Sequence, residues 1–245
     1  MDQCHCQKEA WVTSMKIEIF EMIEGAKLAT GLTVIIDVFR AFSLEAYLFS
    51  HGIEKIYPIG SVDEAFSLKR ENPDYLLIGE RGGIMVEGFD YGNSPSSFVG
   101  KKLYGKTAIH TTSAGTQGIV NAANAEEILV GSFVNARATA EYIKERKPET
   151  VSLVCMGNAG VAPSGEDRLC AEYIRSLLTD DPIKDIDQLL LDLQHTDGLK
   201  FFDERQAIYP QPDFWMCIRR DIFPFVIKTY REEGRNVNRM LLIDN

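Results

Sequence analysis

The feature that most constrains the fold of this chain is a repeated alternation of short, β-rich apolar runs with helical patterns. The predicted strands are residues 15–20, 33–38, 55–59, 75–79, 107–111, 127–130 and 151–155. The predicted helices are residues 43–51, 62–71, 116–123, 136–145, 166–178 and 183–194. Strands and helices that alternate in this way build an α/β sheet with helices on both faces.

A chain of 245 residues can bury a substantial core, and no repeat or linker-like tract divides it. We therefore predict one α/β domain over residues 1–245. The segment from about 199 to 245 is rich in aromatic side chains. We interpret it as a cap that packs on the sheet, with an edge strand at 224–229, rather than as an aromatic box for a ligand.

Composition excludes several classes of protein. The net charge of −10 argues against nucleic-acid binding. No apolar run is long enough to span a membrane, and the N-terminus lacks the apolar region of a secretory signal. Five cysteines without disulfide-like spacing favour a reducing cytoplasm. Cys4, His5 and Cys6 could bind a metal, but no second ligand cluster completes a zinc site.

The most informative strand end lies at residues 33–46. Asp37 stands near the carboxyl end of a predicted buried strand, and Arg40 and Ser43 follow it. Ligands of open α/β sheets bind just outside such strand ends. Asp37 suits a metal or acid–base role there, and Arg40 suits an anion. The structural alternative is that Asp37 caps the next helix and Arg40 pairs with it on the surface.

Two further segments combine charged residues with glycines or turn formers. The predicted strand 75–79 leads into Glu80 and the pair Gly82 and Gly83, whose backbone amides can approach an anion closely. A plain glycine turn with solvent-facing charges is the alternative. The loop 88–95 offers Asn93 and Ser94, which suit phosphate binding or the ordering of a neighbouring loop.

Two other strand ends lead into helices. Residues 110–118 place small and hydroxylic side chains before a helix, which favours an anion site, and His110 could be a base or a structural residue. Residues 155–167 end in Glu166 and Asp167 at a helix start, where acids serve equally as helix caps or as ligands of Mg²⁺. Together these strand ends favour a metal-assisted phosphoryl site over a structural surface.

The ordered set of motifs resembles the 2-phosphosulfolactate phosphatase family of Mg²⁺-dependent enzymes linked to coenzyme M biosynthesis. The matching segments are I-D-V-F-R-A (36–41), G-E-R-G-G (79–83), G-F-D-Y-G-N-S-P (88–95), T-T-S-A-G-T (111–116) and C-M-G-N-A-G-V-A-P-S-G-E-D (155–167). The resemblance implies a three-layer α/β/α fold with a mostly parallel or mixed sheet. The positions that match family motifs are Asp37, Arg40, Glu80, Asn93, Ser94, Thr111, Gly115, Thr116, Glu166 and Asp167.

From this resemblance we predict a phosphoric monoester hydrolase in the cytoplasm, acting on a small phosphorylated acid; a homodimer is left open. Asp37, with Glu166 or Asp167, would hold Mg²⁺, and Glu80 or His110 would move the proton. Arg40 would stabilise the phosphoryl charge. The predicted substrate-binding residues are Ser43, Gly82, Gly83, Asn93, Ser94, Thr111, Thr112, Gly115 and Thr116.

The chain departs from the family pattern at Ala114 and Gln117, where the family usually has Asn and Arg. A lost cation weakens or changes anion recognition, so we expect poor activity on a sulfonate-bearing substrate. One alternative is a non-catalytic protein that binds small anions. The other is a haloacid-dehalogenase-type phosphatase, although Phe39 stands where that class needs a second Asp.

Overall fold

A computed structural model describes residues 15–243; Cys4, His5 and Cys6 lie outside the described residues. The strands are β1 (Lys16–Glu21), β2 (Gly31–Ile36), β3 (Lys55–Pro58), β4 (Leu76–Arg81), β5 (Ile84–Met85), β6 (Thr107–Thr111), β7 (Ala125–Gly131), β8 (Thr150–Cys155), β9 (Phe225–Glu232) and β10 (Arg235–Leu242). The α-helices are α1 (Met22–Leu28), α2 (Ala41–Ser50), α3 (Val62–Glu71), α4 (Gly115–Asn121), α5 (Ala136–Arg146), α6 (Gly165–Thr179), α7 (Ile186–Asp192) and α8 (Gln211–Cys217).

The strands form a ten-stranded mixed sheet in the order β1-β8-β2-β7-β9-β10-β3-β6-β4-β5. Strands β1, β8, β2 and β7 are mutually parallel, and we call them the first half-sheet. Strands β3, β6 and β4 are also mutually parallel and form the second half-sheet. The predicted three-layer α/β/α fold with a mixed sheet is therefore confirmed.

The C-terminal hairpin joins the two half-sheets. Strand β9 pairs antiparallel with β7, and β10 pairs antiparallel with β9 and β3. The prediction of an edge strand at 224–229 is therefore wrong, because β9 lies in the middle of the sheet. Its first three residues, 225–227, are buried as an inner strand requires.

Three antiparallel pairs, β7 with β9, β9 with β10 and β10 with β3, separate the two half-sheets. An odd number of antiparallel pairs means that the strands of the two half-sheets run in opposite directions. Neighbouring strands twist by about 20–25° each, so five steps from β2 to β6 accumulate more than about 100°. This twist accounts for the strand ends of both halves meeting at one site.

Helix α2 lies inside the curve of the sheet. Residues 41–49 are all buried, as expected for a helix enclosed on every side. Its apolar side chains share one core cluster with Ile35 of the first half-sheet, Ile78 of the second and Ile227 of the hairpin. Helices α5 and α6 cover the opposite face of the first half-sheet, and α3 covers the second. Among the residues of the structure, none of the helices has the length and apolar character needed to cross a bilayer.

Candidate active site

A cavity of about 200 Å³ opens where the ends of β2, β4, β6 and β8 come together. Six of the predicted site residues line it: Asp37, Arg40, Glu80, Gly82, Gly83 and Asn93. The remaining lining residues are Phe39, Ser113, Ala114, Gly157, Asn158, Ala159, Lys200 and Tyr209. The cavity is therefore built by both half-sheets and by the C-terminal segment.

Asp37 follows β2 directly and is buried at the base of this cavity. Its Oδ1 accepts a hydrogen bond from the Ala41 backbone N–H at 3.0 Å, so the carboxylate also caps α2 as the structural alternative required. The pKa of Asp37 is raised to about 6, chiefly by burial; the Ala41 amide and His110 oppose this rise, and the nearby Glu80 contributes to it. Asp37 can thus carry or release a proton near neutral pH.

Gly115 lets α4 approach this carboxylate. A Cβ atom at Gly115 would lie 2.9 Å from both Asp37 Oδ2 and the Ala41 Cβ. A larger residue there would displace Asp37. Gly115 therefore shapes the site without lining the cavity.

Arg40 is buried in an ion pair, and its partner is Asp213 rather than Asp37. Arg40 Nη1 donates to Asp213 Oδ2 at 2.8 Å and to the Ile208 carbonyl at 2.9 Å. The guanidinium also lies 4.9 Å from the ring centroid of Tyr209. Within residues 15–243, Arg40 donates its side-chain hydrogen bonds from Nη1 alone. Its other guanidinium N–H groups can therefore donate to a ligand in the cavity that Arg40 lines.

Glu80 holds two loops together at the mouth of the cavity. Its Oε2 accepts from the Gly83 backbone N–H at 2.6 Å, and its Oε1 accepts from the Ser113 backbone N–H at 2.7 Å. The Gly82 N–H donates to Ser113 Oγ at 2.9 Å. The glycine amides predicted to bind phosphate are therefore engaged by Glu80 and Ser113, and the geometry favours a loop-ordering role for Glu80 over proton transfer.

His110 lies behind the cavity. Its ring is fully buried, with Nδ1 2.8 Å from Glu45 Oε1 and Nε2 3.2 Å from Asn93 Oδ1. It does not line the cavity, so the prediction that His110 moves a proton of the substrate is not supported. Asn93 is the residue of this group that reaches the cavity.

Several predicted substrate-binding hydroxyls turn toward the protein instead. Ser43 Oγ donates to the Val38 carbonyl, and Ser94 Oγ donates to Asp213 Oδ1. Thr111 Oγ1 accepts from Arg81. Short hydroxyl side chains readily satisfy backbone groups and neighbouring loops. These residues organise the loops around the cavity rather than contact a ligand.

Two threonines, Thr112 and Thr116, hydrogen-bond to each other across the loop before α4. The backbone N–H of Thr112 donates to Thr116 Oγ1 at 2.9 Å, and the N–H of Thr116 donates to Thr112 Oγ1 at 3.1 Å. These reciprocal bonds use the amides and hydroxyls that were predicted to bind an anion. The expectation of an anion site in loop 111–116 is thus corrected for Thr112 and Thr116.

The two acids that begin α6 have different environments. Asp167 Oδ1 and Oδ2 accept from the backbone amides of Val38 and Gly157, both at 2.8 Å. Glu166 Oε2 is buried and has no hydrogen-bond partner among the residues of the structure. Burial raises the pKa of Glu166 to about 7, although Lys200 lowers it. Neither acid lines the cavity.

The C-terminal segment adds site residues that sequence reasoning missed. Lys200 Nζ lies 5.4–5.8 Å from the ring centroids of Phe39, Phe201 and Tyr209, which together hold the cation at the cavity wall. Tyr209 also packs against Gly83, which has a φ of +83° and no room for a Cβ. These aromatic rings position Lys200, whereas the later part of the predicted cap, residues 225–242, forms the two central strands of the sheet. No local pattern around Lys200 could have revealed this contact, which depends on the tertiary fold.

Comparison with known proteins agrees with the motifs. A family model described as 2-phosphosulpholactate phosphatase matches residues 17–232. A probable 2-phosphosulfolactate phosphatase of Bacillus subtilis (strain 168) is 31% identical over 232 residues, covering 93% of this chain and all of the relative. Proteins of the same name from Caldicellulosiruptor saccharolyticus and Carboxydothermus hydrogenoformans are each 40% identical, covering 79% and 68% of this chain and 87% and 68% of their own.

The chain belongs to the 2-phosphosulpholactate phosphatase family. The two departures from the family motif fall in different places. Ala114 lines the cavity, whereas Gln117 donates from Nε2 to the Gly60 carbonyl at 2.6 Å and lines a separate groove. The expectation that the Gln117 position changes anion recognition in this cavity is therefore wrong.

This difference gives a direct test. Gln117→Arg is expected to leave kcat/KM unchanged within about 2-fold, because the side chain points away from the cavity. Ala114→Asn adds a donor inside it, and we expect about 10-fold higher kcat/KM for a sulfonate-bearing phosphate ester relative to one without the sulfonate. Steady-state phosphate release from both esters measures this ratio. A larger shift for Gln117→Arg than for Ala114→Asn would contradict the placement of the two residues.

The acids of this family member fit a metal only in part. Within the span 15–243, no three acidic, histidine or cysteine side chains form a group that could hold a metal ion. Mg²⁺ commonly uses one or two carboxylates and takes its other ligands from water and phosphate. Asp37 meets that need because its carboxyl group is buried and lines the cavity. Asp167 does not, since backbone amides occupy both of its oxygens.

Proposed function

We propose that the protein is a Mg²⁺-dependent phosphatase that hydrolyses a small phosphorylated acid, with 2-phosphosulfolactate as the first candidate. The observation that carries this proposal is the cavity itself. In a member of this family, it brings a buried carboxylate, Asp37, and two cationic side chains, Arg40 and Lys200, to the lining of one cavity. The chain as a whole is acidic, so local cations are needed to bind an anion.

Arg40 and Lys200 would bind the anionic groups of the substrate. Arg40 is held rigidly by Asp213, which suits recognition of phosphoryl oxygens in a defined geometry. Lys200 is held by aromatic faces instead, and an ammonium there can neutralise a second anionic group such as a sulfonate or carboxylate. Two cations therefore match a substrate with two anionic ends.

Asp37 would hold the Mg²⁺, with water and substrate oxygens completing its coordination, and the ion when bound would polarise the phosphoryl group. Without the metal ion, the pKa of Asp37 is raised to about 6, chiefly by burial, and a bound cation would favour the charged carboxylate. Glu80 keeps the loops with Gly83 and Ser113 closed over this carboxylate. The cytoplasmic location and the link to coenzyme M biosynthesis stay predictions.

The haloacid-dehalogenase alternative finds no support at Phe39. That ring packs 5.1 Å from Phe201, centroid to centroid, and offers no carboxylate where the second acid of that class would stand. The non-catalytic alternative shares every binding residue with the phosphatase. Only turnover separates those two hypotheses.

The test is release of inorganic phosphate from a panel of phosphorylated acids that includes 2-phosphosulfolactate, with Mg²⁺ and with EDTA. We expect turnover with Mg²⁺, its loss in EDTA and its recovery when Mg²⁺ is restored. Equal turnover in EDTA would contradict the metal dependence. Saturable phosphate binding with no turnover of any ester would favour the anion-binding protein.

The role of Lys200 predicts a change in substrate affinity. Lys200→Met keeps the apolar stem on the aromatic rings but removes the charge, so we expect KM to rise about 10–100-fold with a smaller change in kcat. Lys184→Met is the matched control, because the Lys184 side chain is 92% exposed and does not line the cavity. An unchanged KM for Lys200→Met would show that this cation does not contact the substrate.

A further inference from the structure

A chain of hydrogen bonds, buried except at its outer end, runs from the C-terminal hairpin to the cavity. Thr229 Oγ1 donates to Asn238 Oδ1 at 2.7 Å, and Asn238 Nδ2 donates to Glu45 Oε2 at 2.8 Å. Glu45 Oε1 contacts His110 Nδ1 at 2.8 Å, and His110 Nε2 contacts Asn93 Oδ1 at 3.2 Å. Asn93 ends the chain at the cavity wall.

The interior part of this chain is completely shielded from water. Glu45, His110 and Asn238 have no exposed surface, and Asn93 is 7% exposed. Ionisable groups at such positions are costly unless they are fully paired, and apolar residues of similar size often stabilise a core equally well or better. Packing alone therefore gives little reason for a glutamate on α2, the most enclosed helix of the fold.

The acceptors around His110 determine where its protons lie. Glu45 accepts from Asn238 through Oε2 and presents Oε1 to His110, so Nδ1 donates to a carboxylate. Asn93 presents Oδ1 to the ring, so Nε2 donates as well. The contact that bears on the cavity is the one at Nε2, because an amide oxygen can only accept a hydrogen bond from the ring.

The contact with His110 holds the Asn93 amide in one orientation. Because Oδ1 faces His110, Nδ2 lies on the other side of the amide group, away from the ring. Within residues 15–243, no acceptor receives a hydrogen bond from Asn93 Nδ2. An amide donor held in one orientation at a cavity wall is suited to bind an anionic oxygen.

We propose that Glu45 and His110 are positioning residues, which hold Asn93 so that Nδ2 donates to the anionic group bound in the cavity. This inference rests on the proposed function in so far as that anion is the phosphorylated substrate. His110 does not touch the substrate. It acts only through Asn93, and Glu45 fixes the tautomer and orientation of the ring.

Two substitutions of His110 separate positioning from other roles. In His110→Asn the amide reaches only the Nδ1 position, facing Glu45, and the contact with Asn93 is lost. In His110→Gln the longer side chain reaches the Nε2 position and can still donate to Asn93. We expect His110→Asn to lower kcat/KM about 10–100-fold and His110→Gln to remain within a few-fold of the parent.

A double-mutant cycle tests whether His110 acts through Asn93. Asn93→Ala alone is expected to lower kcat/KM as much as His110→Asn, and the double variant is expected to be no worse than either single variant. Additive losses would overturn the proposal, and so would a His110→Gln variant as impaired as His110→Asn. Urea unfolding of each variant reports any general loss of stability. The same cycle measured on the Kd of inorganic phosphate, by calorimetry, does not depend on turnover.

The protonation of His110 can also be measured in the parent protein, so this test does not depend on whether a variant folds. Nitrogen-15 NMR of labelled histidine at pH 7 should show His110 Nε2 protonated, as its contact with Asn93 Oδ1 requires. An unprotonated Nε2 would accept a hydrogen bond from Asn93 and turn Nδ2 away from the cavity, which would overturn the proposal. Absence of phosphatase activity in the parent would refute the proposed function instead, and the phosphate-binding cycle and the NMR result would still decide this inference.

Discussion

Replacing Asp37 with Asn is expected to abolish Mg²⁺-dependent turnover and, at the same time, to stabilise the folded protein at neutral pH. The amide keeps the shape of the side chain and can still accept from the Ala41 N–H, but it loses the charge that a hard cation needs. Phosphate release and the Mg²⁺ affinity of the variant measure the first effect. If Asp37→Asn binds Mg²⁺ as tightly as the parent does, the Asp37 carboxylate has a structural role and does not bind the metal.

The stability effect follows from the raised pKa. Burial, the largest cause, raises the pKa of Asp37 from 3.8 to about 6, so the folded state holds this proton more tightly than the unfolded chain does. The resulting stability is fully present below pH 3.8 and is lost as pH rises through 6. Removing the titration should therefore raise the free energy of unfolding at pH 8 by up to about 3 kcal/mol, with no gain at pH 3.5.

Denaturant unfolding at both pH values tests this sign. Asp63→Asn is a suitable control, because Asp63 is exposed in the first turn of α3. A variant of Asp37 that is equally stabilised at pH 3.5 and pH 8 would contradict the titration as the cause.

Replacing Asp213 with Ala is expected to produce the largest loss of stability among these substitutions. Asp213 pairs with Arg40 at 2.8 Å, and both side chains are almost completely buried. Its other oxygen accepts from Ser94 Oγ and the Ser96 N–H, both at 2.9 Å. Removing one partner of a buried pair leaves an uncompensated charge, which costs about 3–5 kcal/mol. For a domain of this size, Tm should fall by roughly 6–20 °C.

Asp187→Ala provides the matched comparison. Asp187 pairs with Arg220 at 2.6 Å, but its side chain is 79% exposed, and exposed pairs contribute less than about 1 kcal/mol. Thermal unfolding should therefore give a clearly lower Tm for Asp213→Ala than for Asp187→Ala. Similar Tm values for the two would mean that water or another group compensates Arg40. The Asp213 variant should also lose turnover under conditions where it remains folded, because Arg40 is no longer held at the cavity.

The sequence was most informative where local pattern decides structure. Helix α3 was predicted with both of its ends, and the apolar run that became β2 was predicted with a shift of two residues. Charged and glycine residues at strand ends also led to five residues of the cavity, and the turn-forming loop 88–95 led to a sixth, Asn93. Such residues have few other ways to be satisfied at the end of a buried strand, so their position along the chain already limits their role.

Prediction failed where side chains had a choice of partner. The hydroxyls of Ser43 and Thr116 could face either a ligand or the backbone, and each donates to a carbonyl a few residues earlier in the chain. The contribution of Lys200 depends on three rings that come from distant parts of the chain. The alternation of strands and helices along the sequence also could not predict that the C-terminal hairpin joins two half-sheets of opposite direction. The order of strands in a sheet is set by contacts between segments that are remote in sequence.

The central place of that hairpin has a consequence for synthesis on the ribosome. β9 and β10 are the last of the described strands to be made, yet they separate β7 from β3 in the finished sheet. Until they emerge, each half-sheet presents an open edge, and open edges invite pairing with other chains. At about 5–20 residues per second, this exposure lasts for several seconds of translation. The nascent chain is therefore most vulnerable to aggregation just before its final strands arrive, and a pause or truncation there would leave two unjoined half-sheets.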